Sequence, residues 1–157
     1  MQRLSNLLDA GHVALDVEAP DVPSLLQKMA QLLVVHDHLS ATCGDTLSKA
    51  LLRRELLSGT CVGHGVAVPH AYVVEIPAPI MLLARLKEPI AYGNPRDGRP
   101  VDLVFLLTGP KTQRTDVQLL ARIVRLLHDD AWLEALRAAR SPEDVMVAVA
   151  DVEGRHA

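Results

Sequence analysis

The sequence has few aromatic residues, few cysteines and no long apolar run. Phenylalanine, tyrosine and tryptophan make up 3% of its 157 residues, so its core must be built from aliphatic side chains. Two cysteines, Cys43 and Cys61, are too few for the disulfide framework of a small secreted protein. No apolar run approaches the roughly 18 residues of a membrane-spanning helix, and the first residues do not resemble a signal peptide. We therefore expect a cytoplasmic protein.

An excess of positive charge is also lacking. The formal net charge is −3, which argues against a nucleic-acid or anionic-membrane surface. Hydrophobic residues make up 49% of the chain and charged residues 22%, which is typical of a folded soluble protein. The sequence contains no solenoid-like repeat and no low-complexity segment. We expect residues 1–157 to form a single domain.

Helical periodicity occurs in the first and last thirds of the chain. Asp21 precedes Pro23 and a leucine-rich run at helical spacing, which is the chemistry of a helix start. A further helix is predicted from about Thr46 to Leu57, with two arginines near its end. Later helices are expected where hydroxyl or acidic residues precede apolar runs, at Thr115 or Asp116 and at Ser141.

Strand patterns occupy the region between these helices. Residues 13–17 alternate between apolar and polar, and residues 80–86 and 101–107 are short apolar runs bounded by proline or glycine. Continuous apolar runs of this length are typical of central strands that are covered on both faces. Helices around such strands predict an α/β layered fold.

The segment from Ser58 to Ala71 is the most informative for function. Its glycines allow the backbone to approach a phosphate closely, with amide donors turned towards it. Their spacing matches neither a dinucleotide-binding fingerprint nor a P-loop. Residues 66–68 predict a short strand, and Pro69 places His70 at its end.

His70 and Arg54 together suggest phosphoryl-transfer chemistry. A neutral imidazole is a competent nucleophile when one ring nitrogen donates to an acceptor and the other is left free. A guanidinium such as that of Arg54 can hold two phosphate oxygens at once. From spacing alone, the commoner explanation is a structural histidine and a solvated charge at a helix end.

The remaining histidines and the cysteines give weaker signals. His36 and His38 are either metal ligands on a strand or the polar end of a helix, and His128 is interpreted as a helix-end charge. The chain has neither a CxxC pair nor an HExxH motif, which argues against a zinc site. The residues that would form such a site are Cys43, Cys61, His64 and His70.

Taken together, these residues resemble the enzyme IIA domains of the fructose–mannitol type in the bacterial phosphoenolpyruvate:sugar phosphotransferase system (PTS EIIA type 2). That class includes the nitrogen-regulatory IIA proteins, the branch that this chain resembles most. The resemblance covers nearly the whole chain, and its motifs occur in the family's order. They are Arg54-Glu55 with Thr60, Gly63–Ala71 (GHGVAVPHA), Asp97–Phe105 and Gly109-Pro110.

The resemblance implies a mixed, mostly parallel β-sheet with helices on both faces. It implies that Nε2 of His70 accepts a phosphoryl group from the phosphohistidine of an HPr- or NPr-type carrier protein, with Nδ1 held by an acceptor. Arg54 would neutralise the phosphate, and Thr60 with the loop amides at Gly63 and Gly65 would add donors. No metal or organic cofactor is expected, because both donor and acceptor are protein histidines.

Asp116 departs from the family pattern. It occupies the position where the family commonly has a second histidine near the active one. A carboxylate there could hold a ring N–H of His70, or it could repel the phosphate. At an effective dielectric constant of about 20, two unit charges about 4 Å apart interact by about 4 kcal/mol. The loop Ser58–Cys61 also differs from the family's Gly-Ser-Thr-Gly.

Three functions are compatible with the sequence. The first is a regulatory, nitrogen-type phosphocarrier, which we expect because the chain leaves no room for attached IIB or IIC domains. The second is a free-standing fructose- or mannitol-type IIA component that passes the phosphoryl group to a IIB cysteine. The third is a non-catalytic module that signals by binding, with Asp116 blocking or mimicking phosphorylation. The oligomeric state is open.

Overall fold

The computed structural model describes residues 3–92, 98–110 and 115–157, and the side chains of Thr115 and Asp116 lie outside this description. Short 3-10 turns at Leu4–Asn6 and Ala10–His12 precede the first strand. No helix within these ranges is long and apolar enough to cross a membrane. The elements that follow are β1 (Val13–Val17), α1 (Val22–Val35), α2 (Ala41–Leu57), β2 (Cys61–Gly63), β3 (Val66–Ala67), β4 (His70–Tyr72), β5 (Ile80–Ile90), β6 (Val101–Gly109), α3 (Thr115–Leu126), α4 (Asp130–Ala138) and α5 (Pro142–Arg155).

The described strands form one mixed sheet in the order β1-β5-β6-β3-β2, and β4 also pairs with β6. Strands β1 and β5, β3 and β6, and β4 and β6 are parallel, whereas β2 and β3, and β5 and β6, are antiparallel. The prediction of a mixed, mostly parallel sheet is confirmed. The two continuous apolar runs, residues 80–86 and 101–107, lie in the interior strands β5 and β6. Their side chains are buried or half-buried because both faces of the sheet are covered there.

Helices cover both faces of this sheet, as predicted. Helices α1 and α2 pack their buried leucines against one face, together with Val104 and Leu106 of β6. The N-terminal turns and helices α3, α4 and α5 cover the other face, where they meet Leu103 and Phe105. Alternate residues of β6 therefore enter two separate cores.

Capping explains where the helices begin. The Asp21 carboxylate accepts a hydrogen bond from the Ser24 amide at 2.8 Å, which confirms the predicted start of α1. Ser141 likewise accepts from the Asp144 amide at the start of α5. The predicted start of α2 at Thr46 was wrong. Ser40 caps this helix, which therefore begins at Ala41.

A glycine in the first turn of α2 lies against helix α1. A Cβ atom on Gly44 would lie 2.4 Å from Cγ2 of Val34 in α1. A larger residue at this position would force the Val34 side chain or the helix to move. The first turn of α2 thus contacts α1 through its backbone, a contact that apolar periodicity does not reveal.

The carboxyl group of Asp129 joins the last two helices at the surface. Asp129 caps α4 through the Trp132 amide and also binds Arg155 and His156 at the end of α5. The hydrogen bond from His156, with further ones from the Trp132 amide and Arg155, lowers the pKa of Asp129 to about 2.

Because the pKa of Asp129 is lower in the folded than in the unfolded chain, its contribution to stability is complete above the unfolded pKa. That contribution is lost as the pH falls from about 4 to about 2. We expect Asp129→Asn to be less stable than the wild type at pH 6, with a smaller difference at pH 2.5. Urea denaturation at both pH values measures this, and an equal difference at the two would contradict the assignment.

Candidate functional site

His70 is the first residue of β4, the short strand that pairs with the end of β6. Pro69, which has no amide hydrogen, separates β3 from β4, so His70 starts a strand instead of ending the one predicted at residues 66–68. The Nδ1 atom of His70 lies 2.8 Å from the carbonyl oxygen of Val68. A carbonyl oxygen only accepts, so Nδ1 carries the ring hydrogen. In the neutral imidazole, Nε2 then keeps its lone pair.

The partly buried ring of His70 borders two clefts. One, of about 290 Å³, is lined on its α2 side by Arg53, Arg54 and Leu57. The other, of about 150 Å³, lies between the strand ends and α3 and is largely apolar. Tyr72 lines both clefts. A group transferred to His70 would thus meet cations on one side and apolar side chains on the other.

Arg54 lies in the last turn of α2, as predicted, and shares the first cleft with His70. Its Nη1 donates to the carbonyl oxygen of Ser58 at 2.6 Å. Within the described part of the chain, this bond leaves Nε and Nη2 of Arg54 for a ligand. The structure therefore brings together the two residues to which the sequence assigned the phosphate chemistry.

Thr60 is buried and turned towards α2. Its amide and its hydroxyl donate to the two carboxylate oxygens of Glu55, at 2.8 and 2.6 Å. The phenol of Tyr92 donates to the same carboxylate at 2.9 Å. Both donors of Thr60 are thus paired with Glu55. Neither Glu55 nor Tyr92 is among the predicted site residues; the sequence signal for Glu55 is its place in the family motif Arg54-Glu55.

Gly63 ends β2 and Gly65 lies in the turn before β3, far along β6 from the position where His70 pairs. The Gly65 carbonyl accepts from the amides of Asp102 and Leu103, whereas His70 pairs with Leu107. At about 3.3 Å per residue, this separation of four to five residues along β6 is roughly 13–16 Å. The structure does not bring the two glycines to His70.

The glycines in this turn have a local structural reason. Gly63 and Gly65 have φ values of 86° and 73°, in the left-handed region. A Cβ atom on Gly65 would lie 2.7 Å from Nη2 of Arg137, which forms a bidentate ion pair with Asp102. Here glycine lets a guanidinium pack directly on the backbone.

Asp116 lies in the first turn of α3, and its side chain is outside the described part of the structure. Val117, the next residue, lines the apolar cleft together with His70. The role of Asp116 stays a prediction.

The other histidines and the cysteines are distributed through the fold. His36 forms the C-cap of α1, which confirms the polar helix end predicted there, and the His38 ring stacks on His12 at 4.2 Å. In the ranges that the structure describes, no group of three or more His, Cys, Asp or Glu side chains is arranged to hold a metal ion. The candidate zinc residues are not brought together.

The family model for the phosphoenolpyruvate-dependent sugar phosphotransferase system, EIIA 2, matches residues 6–151. The chain belongs to this EIIA type 2 family. Its fold agrees with this assignment. The crystal structure of the nitrogen regulatory protein IIA-Ntr from Neisseria meningitidis superposes with a TM-score of 0.82 at 26% identity, covering 93% of this chain and 98% of that one.

One curated relative and one further solved structure resemble the EIIA protein. A nitrogen regulatory protein of Bradyrhizobium diazoefficiens is 38% identical over 125 residues, which are 79% of this chain and 81% of the relative. The mannitol IIA of Escherichia coli, solved in complex with phosphorylated IIB, shares the fold with a TM-score of 0.75 at 21% identity. That comparison covers 92% of this chain and 97% of the other.

Proposed function

We propose that this EIIA protein is a phosphocarrier of a nitrogen-regulatory branch, which accepts a phosphoryl group on Nε2 of His70. The observation that carries the proposal is the hydrogen bond from Nδ1 to the Val68 carbonyl, which leaves Nε2 as the basic ring nitrogen. Family membership and the similarity to nitrogen regulatory proteins support it. The donor is an HPr- or NPr-type phosphohistidine protein, and we place the reaction in the cytoplasm.

The transfer exchanges one phosphorus–nitrogen bond for another. The lone pair on Nε2 of His70 attacks the phosphorus in line, and the bond to the donor histidine breaks with its electron pair returning to the donor ring. The Nδ1 hydrogen stays on His70. The Val68 carbonyl that accepts it stabilises the positive charge that the ring gains. Arg54 pairs with the phosphoryl oxygens.

The surface beside His70 suits a protein donor. Leu57 is 80% exposed and Val117 61% exposed, and these two residues line the clefts on either side of the ring. Exposed apolar side chains around a polar centre are a common feature of protein–protein docking surfaces. We infer that the donor protein covers both residues when it presents its phosphohistidine.

Arg54→Ala is expected to slow phosphoryl transfer to His70 by about 100-fold, since loss of one charged donor removes transition-state stabilisation of that order. Arg54→Lys should recover part of the rate, because an ammonium keeps the charge but not the two-point geometry. Single-turnover kinetics with a phosphorylated carrier measure this. Lys87→Ala, which removes a surface cation paired with Glu18, is the control. Equal rates for Arg54→Ala and Lys87→Ala would contradict the role of Arg54.

The proposed function is tested by incubation with phosphoenolpyruvate, enzyme I and either HPr or NPr, followed by intact-mass measurement. We expect the mass of one phosphoryl group, lost after mild acid. Faster transfer from NPr supports the regulatory branch. Rapid onward transfer to a IIB cysteine would instead support a sugar-specific IIA component. The mannitol IIA of Escherichia coli, which has a similar fold, has been solved in complex with phosphorylated IIB.

Asp116 supports a second candidate function, a module that binds its target without phosphotransfer. A carboxylate at the position of the family's second histidine would oppose a phosphoryl group on His70. If the wild type accepts no phosphoryl group and Asp116→His does, this second function is correct. Equal phosphorylation of both proteins removes its basis.

A further inference from the structure

The carboxylate of Glu55 is the acceptor for donors from two separate parts of the chain. Thr60 donates to it twice, through its amide and its hydroxyl, and Tyr92 donates through its phenol. Tyr92 is fully buried, and burial raises the pKa of its phenol, so that it stays a donor throughout the physiological range. Three donors on one carboxylate fix the position of Thr60 against the end of α2.

Thr60 is in turn hydrogen-bonded, through its backbone carbonyl, to Val68, the residue that orients His70. The Val68 amide donates to the Thr60 carbonyl at 3.0 Å. The Val68 carbonyl accepts from Nδ1 of His70 at 2.8 Å. A continuous series of contacts therefore runs from Glu55 through Thr60 and Val68 to the imidazole, without Glu55 touching the ring.

We propose that Glu55 is a positioning residue for His70, which holds the Val68 carbonyl in place through Thr60 and so keeps the ring hydrogen on Nδ1. This inference rests on the proposed function for its consequence, because phosphoryl acceptance needs the lone pair on Nε2. Glu55 follows Arg54 directly, and Arg54 bonds the carbonyl of Ser58. The last turn of α2 thus fixes both the position of Arg54, the phosphate-binding cation, and the tautomer of His70.

Loss of the carboxylate should release this arrangement. In Glu55→Ala, the Thr60 amide and two hydroxyl groups lose their common acceptor, and Thr60 no longer fixes the β2–β3 hairpin. The Val68 carbonyl then varies in position, and the imidazole also populates the form with hydrogen on Nε2. That form has no lone pair on Nε2 and cannot accept a phosphoryl group there.

The experiment measures the ring 15N chemical shifts of His70 at pH 8.5 in the free protein, together with single-turnover transfer from the phosphorylated carrier. We expect the wild type to hold the ring hydrogen on Nδ1. Glu55→Ala should show a mixture of tautomers and transfer at least about tenfold slower. Glu55→Gln should stay within about threefold of the wild type, because its amide oxygen can accept from Thr60 while its NH2 group donates to a hydroxyl.

Two further variants separate positioning from general stability. Thr60→Val keeps the side-chain shape and the hydrogen bond from the backbone amide to Glu55 but removes the hydroxyl. We therefore expect a smaller change in the tautomer ratio and in the transfer rate, in the same direction as for Glu55→Ala. If Glu55→Ala does not fold, Thr60→Val tests the proposal in its place. Asp129→Ala removes a carboxylate that joins α4 and α5. It should lower stability without changing the His70 tautomer.

The proposal is overturned if folded Glu55→Ala, or Thr60→Val in its place, keeps the wild-type tautomer and transfers within twofold of the wild-type rate. It is also overturned if Asp129→Ala changes the tautomer equally. The 15N measurement needs no phosphoryl donor. A wild type that accepts no phosphoryl group would therefore refute the proposed function while leaving the positioning of His70 by Glu55 to be judged on the tautomer alone.

Discussion

His70→Gln is expected to accept no phosphoryl group from a carrier protein, while the protein stays folded. Glutamine is close in length to histidine, but its amide nitrogen has no basic lone pair to attack phosphorus. The ring of His70 is partly buried at the border of two clefts, and among the described residues it makes one hydrogen bond, to Val68. Its loss should change the free energy of unfolding by only about 1 kcal/mol.

The measurement is intact mass after incubation with phosphoenolpyruvate, enzyme I and HPr or NPr, beside a urea denaturation curve for each protein. His128→Gln is the matched control, since His128 is an exposed histidine beyond the end of α3. The control should gain the phosphoryl mass as the wild type does. A gain of that mass by His70→Gln would show that another residue is the acceptor.

Phe105→Ala is expected to lower the free energy of unfolding by about 3–5 kcal/mol, the cost of removing a large buried ring. Phe105 is fully buried in β6, the strand with three described neighbours. Its ring centroid lies 5.7 Å from that of Trp132 in α4. In a chain with so few aromatic residues, this pair joins the sheet to the helices on one face.

Urea denaturation at pH 7 measures the effect of Phe105→Ala. Phe105→Leu, which refills much of the space, should cost clearly less. Because β6 pairs with β4 at Leu107 and not at Phe105, both variants should still accept a phosphoryl group wherever they are folded. A loss below about 1 kcal/mol for Phe105→Ala would mean that the core between β6 and α4 collapses around the missing ring.

The α/β layering could be predicted because its signals are local. Strands β5 and β6 are apolar runs that no amphipathic helix would contain, and Asp21 and Ser141 are caps that act within their own helix turn. Ser40 is a local cap of the same kind, but the turn after it has no large apolar residue, so apolar periodicity places the start of α2 too late. The close contact between α1 and α2 could not be predicted locally, because it depends on the absence of a side chain at Gly44 opposite Val34.

The same distinction between local and long-range signals applies to the candidate site. His70 and Arg54 lie in motifs whose family resemblance places them together, and the structure brings them to one cleft. Phosphate contacts were also predicted for Gly63 and Gly65, from their residue type and from the family resemblance, but the structure places them away from His70. Their environment is set by Arg137 and Asp102, which are distant in sequence.

Glu55 illustrates the same limit for hydrogen-bond networks. Its partner Tyr92 is far along the chain, and its effect on His70 passes through Thr60 and Val68. Neither periodicity nor residue spacing predicts such a series of hydrogen bonds. It becomes visible only when the hairpin, the helix end and the strand edge are placed together.

The most direct test of the central claim is the position of the phosphoryl group on the His70 ring. We would phosphorylate the protein with phosphoenolpyruvate, enzyme I and NPr and record its 31P and ring 15N spectra at alkaline pH, with His70→Gln as the reference. The hydrogen bond from Nδ1 to the Val68 carbonyl predicts a phosphoryl group on Nε2 of His70 and on no other residue. A phosphoryl group on Nδ1, or on a different residue, would contradict the account.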